Sequence, residues 1–83
     1  MTRDEALAEV TRAIVTLFEL DPADVRPDAR LGADLELDSI DAVDLAAHLQ
    51  TLSGRRVDDA ALRRVRTVDD VAALLHQMLQ AQG

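Results

Sequence analysis

The sequence predicts an all-α fold, a four-helix bundle of three main helices and one short helix, with a long first loop. Apolar residues recur at three- and four-residue spacing in three separate stretches, which is the signature of amphipathic helices. The hydrophobic share is 48%, yet Phe18 is the one aromatic residue, so the core must be built from Leu, Val, Ile and Ala. One segment alternates like a strand, but no second strand pairs with it. A chain of 83 residues has room for one core, and residues 1–83 are read as a single domain.

Thr2-Arg3-Asp4-Glu5 fits a capping box, in which the Thr2 hydroxyl and the Glu5 carboxylate satisfy the unpaired amides of a helix start. Leu7, Val10, Ile14, Leu17 and Phe18 then share a face of a helix expected to end near Leu20. From Asp21 to Asp38 the helical period disappears, with Pro22, Pro27 and Gly32 punctuating a long connection and one short turn expected at Pro22-Ala23-Asp24. Leu31, Ala33, Leu35 and Leu37 alternate with polar or small residues, and without a partner strand they read as an ordered loop pinned by its leucines.

A second helix is expected from Asp38 as N-cap, with Asp41 three residues on, and Val43, Leu45, Ala46, Leu49 and Leu52 carry it to the terminator Gly54. Ala60 to Val65 supplies a turn or two of short helix. Thr67-Val68-Asp69-Asp70 is a capping box in its Asp variant, and Val68, Val71, Leu74, Leu75, Met78 and Leu79 describe the apolar face of a final helix.

Sixteen Asp and Glu stand against nine Arg and no Lys, a formal charge of -7. Such a chain repels nucleic-acid phosphates and anionic membrane surfaces, so the expected partners are basic proteins or neutral molecules. There is no Cys, hence no thiolate nucleophile or zinc-thiolate site. No apolar run is long enough to span a bilayer, and Met1-Thr2-Arg3-Asp4-Glu5 opens with acids where a secretion signal needs a positive start; a cytoplasmic, monomeric protein is expected.

Ordinary catalysis has few candidates, and the chain is read as no enzyme. His48 and His76 stand alone, without the neighbours of a metal site. Asp34, Glu36 and Asp38 occupy positions one, three and five of a calcium loop, but Ser39 stands where its Gly belongs and Leu45 where its bidentate Glu belongs. No metal is therefore expected. The remaining candidate is Ser39, a hydroxyl at a helix start, where free amides and the helix dipole stabilise an attached phosphate. By position alone it is equally a cap-region residue.

The stretch Gly32-Ala33-Asp34-Leu35-Glu36-Leu37-Asp38-Ser39-Ile40-Asp41-Ala42-Val43-Asp44-Leu45 closely resembles the modification-site signature of acyl carrier proteins, and the likeness covers essentially the whole chain. That resemblance implies an acyl-carrier-like bundle in which a phosphopantetheinyl transferase joins 4'-phosphopantetheine from coenzyme A to Ser39 through a phosphodiester. It implies a terminal thiol that carries acyl groups as thioesters to fatty acid or polyketide enzymes such as a ketosynthase, an acyltransferase or an acyl ligase with basic docking patches. Matching family positions make Ile40, Val43 and Ala47 an exposed apolar stripe, and Asp34, Glu36, Asp38, Asp41 and Asp44 an acidic rim; spacing agrees, since 40, 43 and 47 share a helical face away from Leu45, Leu49 and Leu52.

Leu17 to Pro22, Leu37 to Leu45 and Val65 to Val68 look like stretches of discrete carriers from bacterial aryl polyene and related polyketide-like clusters. Two departures from the wider family stand out. Ala47-His48-Leu49-Gln50-Thr51 lacks the acids that many members carry there, and Arg55, Arg56, Arg63, Arg64 and Arg66 crowd a short window. Local pairing with Asp58, Asp59 and other acids is the expected use of those arginines, with a charge-selective contact to a dedicated partner as the alternative. Two other functions compete with an acyl carrier: a peptidyl or aminoacyl carrier, and an unmodified acidic adaptor.

Overall fold

The computed structural model describes residues 1–80. Four helices form in it: α1 (Arg3–Phe18), α2 (Ser39–Ser53), α3 (Asp59–Arg64) and α4 (Val68–Gln80). The expected capping box opens α1, where Thr2 Oγ1 accepts from the Glu5 amide at 3.1 Å and Glu5 Oε1 accepts from the Thr2 amide at 2.9 Å. The bond from the Thr2 amide foremost, and the Thr2 side chain after it, hold the Glu5 carboxyl below the ordinary glutamate range. The helix stops at Phe18, two residues short of the expected end, because Glu19 adopts a left-handed conformation at φ 52° and the Leu20 amide turns back to the Val15 carbonyl. Leu17 is exposed on this helix, and the buried face runs instead through Ala6, Val10, Ala13 and Ile14.

α1 packs chiefly on α4. Ala6 and Ala72 are both fully buried, and side chains this small let two helices approach closely while Val10, Ile14, Val71 and Leu75 fill the remaining space. Arg3 ties the two helix starts together, with Nη2 3.0 Å from Asp69 Oδ1 and 3.3 Å from the Asp69 carbonyl oxygen. α2 adds Leu45 and Leu49 to the same core, and Leu52 lies half-buried beside them. It ends at Gly54, whose φ of +71° is a left-handed cap that a side chain would strain, and the Gly54 amide donates to the Gln50 carbonyl at 2.8 Å.

The long first loop is held by its leucines and by its backbone. Leu35 is buried, Leu31 and Leu37 are half-buried, and Val25 and Ala29 also enter the core. One isolated antiparallel bridge, Arg30 with Thr67, joins the loop to the segment before α4. Its partner segment lies between α3 and α4 and is too short to show an alternating pattern, which is why the sequence reveals no second strand. Around the bridge the Leu31 amide donates to the Arg66 carbonyl at 2.9 Å, and the Val68 and Asp69 amides donate to the Ala29 and Pro27 carbonyls at 3.0 and 2.8 Å. Loop carbonyls thus satisfy two of the amides that a helix start leaves unpaired. Among the described residues, no helix is long and apolar enough to cross a membrane.

Candidate functional site

The site is built where the long loop meets α2. Arg30 to Leu37 form a tight hydrogen-bonded turn: the Asp34 and Leu35 amides donate to the Arg30 carbonyl at 3.0 and 3.1 Å, and the Leu37 amide donates to the Leu31 carbonyl at 2.9 Å. Asp34 closes the turn from its side chain, Oδ2 accepting from the Arg30 amide at 2.7 Å. Glu36 lies at its closing end in a left-handed conformation, φ 58°, its amide donating to the Gly32 carbonyl at 3.1 Å.

Asp38 is then the N-cap of α2. Its Oδ1 accepts from the Asp41 amide at 3.0 Å, while Asp41 Oδ2 accepts from the Asp38 amide at 3.0 Å. Ser39 follows as the first residue of the helix; it is exposed, and its hydroxyl makes no hydrogen bond among the described residues.

The predicted site residues fall into two groups. Ile40 and Val43 are 72% and 65% exposed, a large apolar area left in solvent beside Ser39, and Ala47 is exposed further along. Asp34, Glu36, Asp38 and Asp44 are exposed and Asp41 is half-buried. Three of the five acids satisfy backbone amides, whereas Glu36 and Asp44 form neither a hydrogen bond nor an ion pair among the described residues. Residue spacing marks the Asp38–Asp41 cap, whereas the bond of Asp34 to the Arg30 amide depends on the loop's backbone path.

A cavity of about 140 Å³ lies beside the start of α2, lined by Leu31, Leu37, Ala42, Leu45, Leu62 and Val65 with Asp38 among them. Leu62 on α3 and Val65 just beyond it were not singled out by the sequence as site residues. The apolar spacing of Leu62 and Val65 was the available signal. His48 lies half-buried in a separate groove between α1 and α2, and His76 contacts Gln80, its Nε2 3.3 Å from Gln80 Nε2. Among the described residues no group of three or more His, Cys, Asp or Glu is placed to hold a metal ion.

The arginine window departs from expectation. Arg55, Arg56, Arg63, Arg64 and Arg66 are all exposed, and none forms an ion pair among the described residues; the pairs present are Arg3 with Asp69, Arg12 with Glu9 and Arg26 with Asp28. Of the expected partners, Asp58 caps α3, Oδ1 accepting from the Ala60 amide at 3.1 Å, and Asp59 forms no ion pair among the described residues. Local pairing therefore does not account for the cluster.

Residues 8–75 match the family described as phosphopantetheine attachment site. The chain is also 44% identical over 81 residues to acyl carrier protein 2 of Ralstonia nicotianae, covering 98% of this chain and 100% of that one. It belongs to the acyl carrier protein family. An acyl carrier protein of Petrotoga mobilis is 33% identical over 95% of this chain and 93% of its own length. The meromycolate extension acyl carrier protein of Mycobacterium tuberculosis is 27% identical, with coverages of 94% and 68%.

Members of this family are carriers and not catalysts, and the prosthetic group is a covalently bound 4'-phosphopantetheine. The residues present fit such a group: one exposed and uncommitted hydroxyl at a helix start, the first amides of α2 beside it, and an apolar cavity next to it. Phosphopantetheinyl transferase and biosynthetic enzymes follow as partners from acyl carrier membership.

Proposed function

We propose that Ser39 is the attachment residue and that the chain, as a single carrier domain over 1–83, delivers acyl intermediates to enzymes of fatty acid or polyketide type. The observation that carries this reading is the exposed, unbonded Ser39 hydroxyl at the first position of α2, within the Asp38-Ser39-Ile40 triplet. When bound, the arm supplies a terminal thiol that holds acyl groups as thioesters. The chain's own residues do the remainder. Asp38 and Asp41 fix the helix start so that the Ser39 hydroxyl points from a rigid element, and the adjoining amides suit a phosphodiester.

Ile40, Val43 and Ala47 form the apolar part of the partner-recognition face, with Asp34, Glu36, Asp38, Asp41 and Asp44 as its acidic rim. A ketosynthase, acyltransferase or acyl ligase with a basic docking patch meets this face. Charge complementarity of this kind speeds encounter more than it tightens binding. The short stretches shared with carriers of aryl polyene clusters support that pathway as the specific one, and a monomer in the cytoplasm is the working state. Because the carrier tethers its cargo, its effect is to raise the local concentration of an intermediate at successive active sites.

Incubation with coenzyme A, magnesium and a broad phosphopantetheinyl transferase tests the assignment. Intact mass should show one arm on the wild type and none on Ser39→Ala. An unchanged wild-type mass, or equal labelling of the variant, overturns it.

A further inference from the structure

Five exposed arginines without ion pairs among the described residues, on a chain whose formal charge is -7, are a feature that the Ser39 site does not use. Two of them, Arg55 and Arg56, rim a groove of about 420 Å³ between the α2–α3 connection, α3 and α4. Asp58 stands on the same rim, its carboxylate already accepting from the Ala60 amide, and the floor below is apolar: Ala61, Leu74 and Met78 line it, with Gln77 alongside. Leu74 and Met78 are each 8% exposed, the least covered members of the core cluster, so the groove reaches down to the core's edge. A methionine at such a floor adapts to more than one packed side chain.

We propose that this groove is a second docking surface, and that it takes an acidic amphipathic segment of a partner protein. Carboxylates of that segment meet Arg55 and Arg56, and its aliphatic side chains cover Leu74 and Met78. The guanidinium fork suits a carboxylate bidentately, and the window contains Arg throughout and no Lys.

Charge also selects the class of partner. The molecule extends 35 by 24 by 19 Å, about two to four times the screening length of about 8 Å at physiological salt. A short acidic segment in the groove therefore feels Arg55 and Arg56, offset in part by the adjacent Asp58, and little of the acids at the far side of the molecule. An extended polyanion or an anionic membrane reaches past the patch and meets Asp and Glu. The surface is independent of the arm, so its test uses the unmodified chain and stands or falls apart from the Ser39 assignment.

The probes are a helical peptide with one Glu face and one Leu face, and its twin with Lys in place of every Glu, each titrated into the isotope-labelled unmodified protein. Amide resonances of Arg55, Arg56, Asp58, Ala61, Leu74 and Gln77 should shift saturably with the Glu peptide and not with the Lys twin. The Arg55→Gln/Arg56→Gln double variant should keep its melting temperature and bind the Glu peptide about tenfold more weakly. Shifts confined to other residues, absence of saturation, or undiminished binding by the double variant overturns the proposal. So does tighter binding to phosphatidylglycerol vesicles than to the peptide, or self-association of the chain through the same residues.

Discussion

Asp38 and Asp41 close the start of α2 on each other, each carboxylate accepting the other's backbone amide at 3.0 Å. Both belong to the predicted acidic rim, so their first task is structural. Asp38→Ala leaves the Asp41 amide unsatisfied and should cost about 1 kcal/mol, lowering the melting midpoint by about 4–8 °C for a domain of this size. Asp38→Asn keeps an N-cap acceptor and should melt close to wild type. The loss in the Asp38→Ala/Asp41→Ala double variant should be smaller than the sum of the single losses, since one box is broken by either change. Thermal melts of wild type, Asp38→Ala, Asp38→Asn, Asp41→Ala and the double variant check all three statements.

Glu36 and Asp44 have carboxylates with no partner among the described residues, which leaves them available to an approaching basic enzyme. Glu36→Gln and Asp44→Asn should leave stability within about 0.5 kcal/mol of wild type. The association rate with a basic phosphopantetheinyl transferase should fall, and the difference should shrink as salt is raised. Stopped-flow association at two ionic strengths reads this directly. A rate loss that persists unchanged at high salt contradicts an electrostatic role for these two acids.

The backbone at Glu36 sets a second expectation for the same residue. With φ at 58°, its Cβ lies in the left-handed region, which is unfavourable for a side chain other than Gly, Asn or Asp. Glu36→Gly relieves that strain but gives the unfolded chain more freedom, so the net gain should be about 0.5 kcal/mol. Glu36→Asn avoids the entropy loss and should gain at least as much. Urea unfolding of both variants beside Glu36→Gln separates backbone strain from charge, because only the first two should move the midpoint upward.

Features with local causes were legible in the sequence. The caps at Thr2, Asp38 and Thr67 follow from residue spacing over four positions, and the structure forms each of them. The helix cores follow from periodicity, and Leu45, Leu49, Val71 and Leu75 are buried. Features with distant causes were not legible. Leu17 continues the apolar period of α1 but faces solvent, because the alanine side of the helix is the one that fits against α4. The Arg30–Thr67 bridge joins residues far apart in the chain, and nothing local marks either end. At the candidate site the exposed placement of Ser39, Ile40 and Val43 and the Asp38–Asp41 cap match the spacing, whereas the bond of Asp34 to the Arg30 amide emerges only from the folded loop. The arginine cluster shows the limit most plainly: nearby opposite charges in sequence suggested pairing, but Asp58 turns its carboxylate to a helix amide instead.

Asp70 makes the structure's stability depend on acid in a predictable direction. Its Oδ2 accepts from the Arg66 amide at 3.0 Å and the Thr67 amide at 3.1 Å, and Thr67 Oγ1 accepts from the Asp70 amide at 3.1 Å. Chiefly the Arg66 amide, then Thr67 and the Arg3 charge, hold its carboxyl below the ordinary aspartate range, against the opposing effect of partial burial. The unfolded carboxyl titrates at about 3.9. Since folding lowers this value, the stabilisation is complete above it and is lost as pH falls through the lower folded value. Asp70→Ala should therefore be about 1 kcal/mol less stable than wild type at pH 7, and the gap should narrow steadily on acidification below about pH 4. Urea midpoints of both proteins at pH 7, 4 and 3 measure the gap, and Glu5→Gln serves as a control because the Glu5 carboxyl is also held low. The loss should be greatest where α4 meets the first loop, since the same helix start receives the Ala29 and Pro27 carbonyls. Amide exchange at Val68 and Asp69 should accelerate in Asp70→Ala ahead of exchange at Leu45 and Leu49; a uniform acceleration across the chain would show that the contact stabilises only the global fold and not this junction.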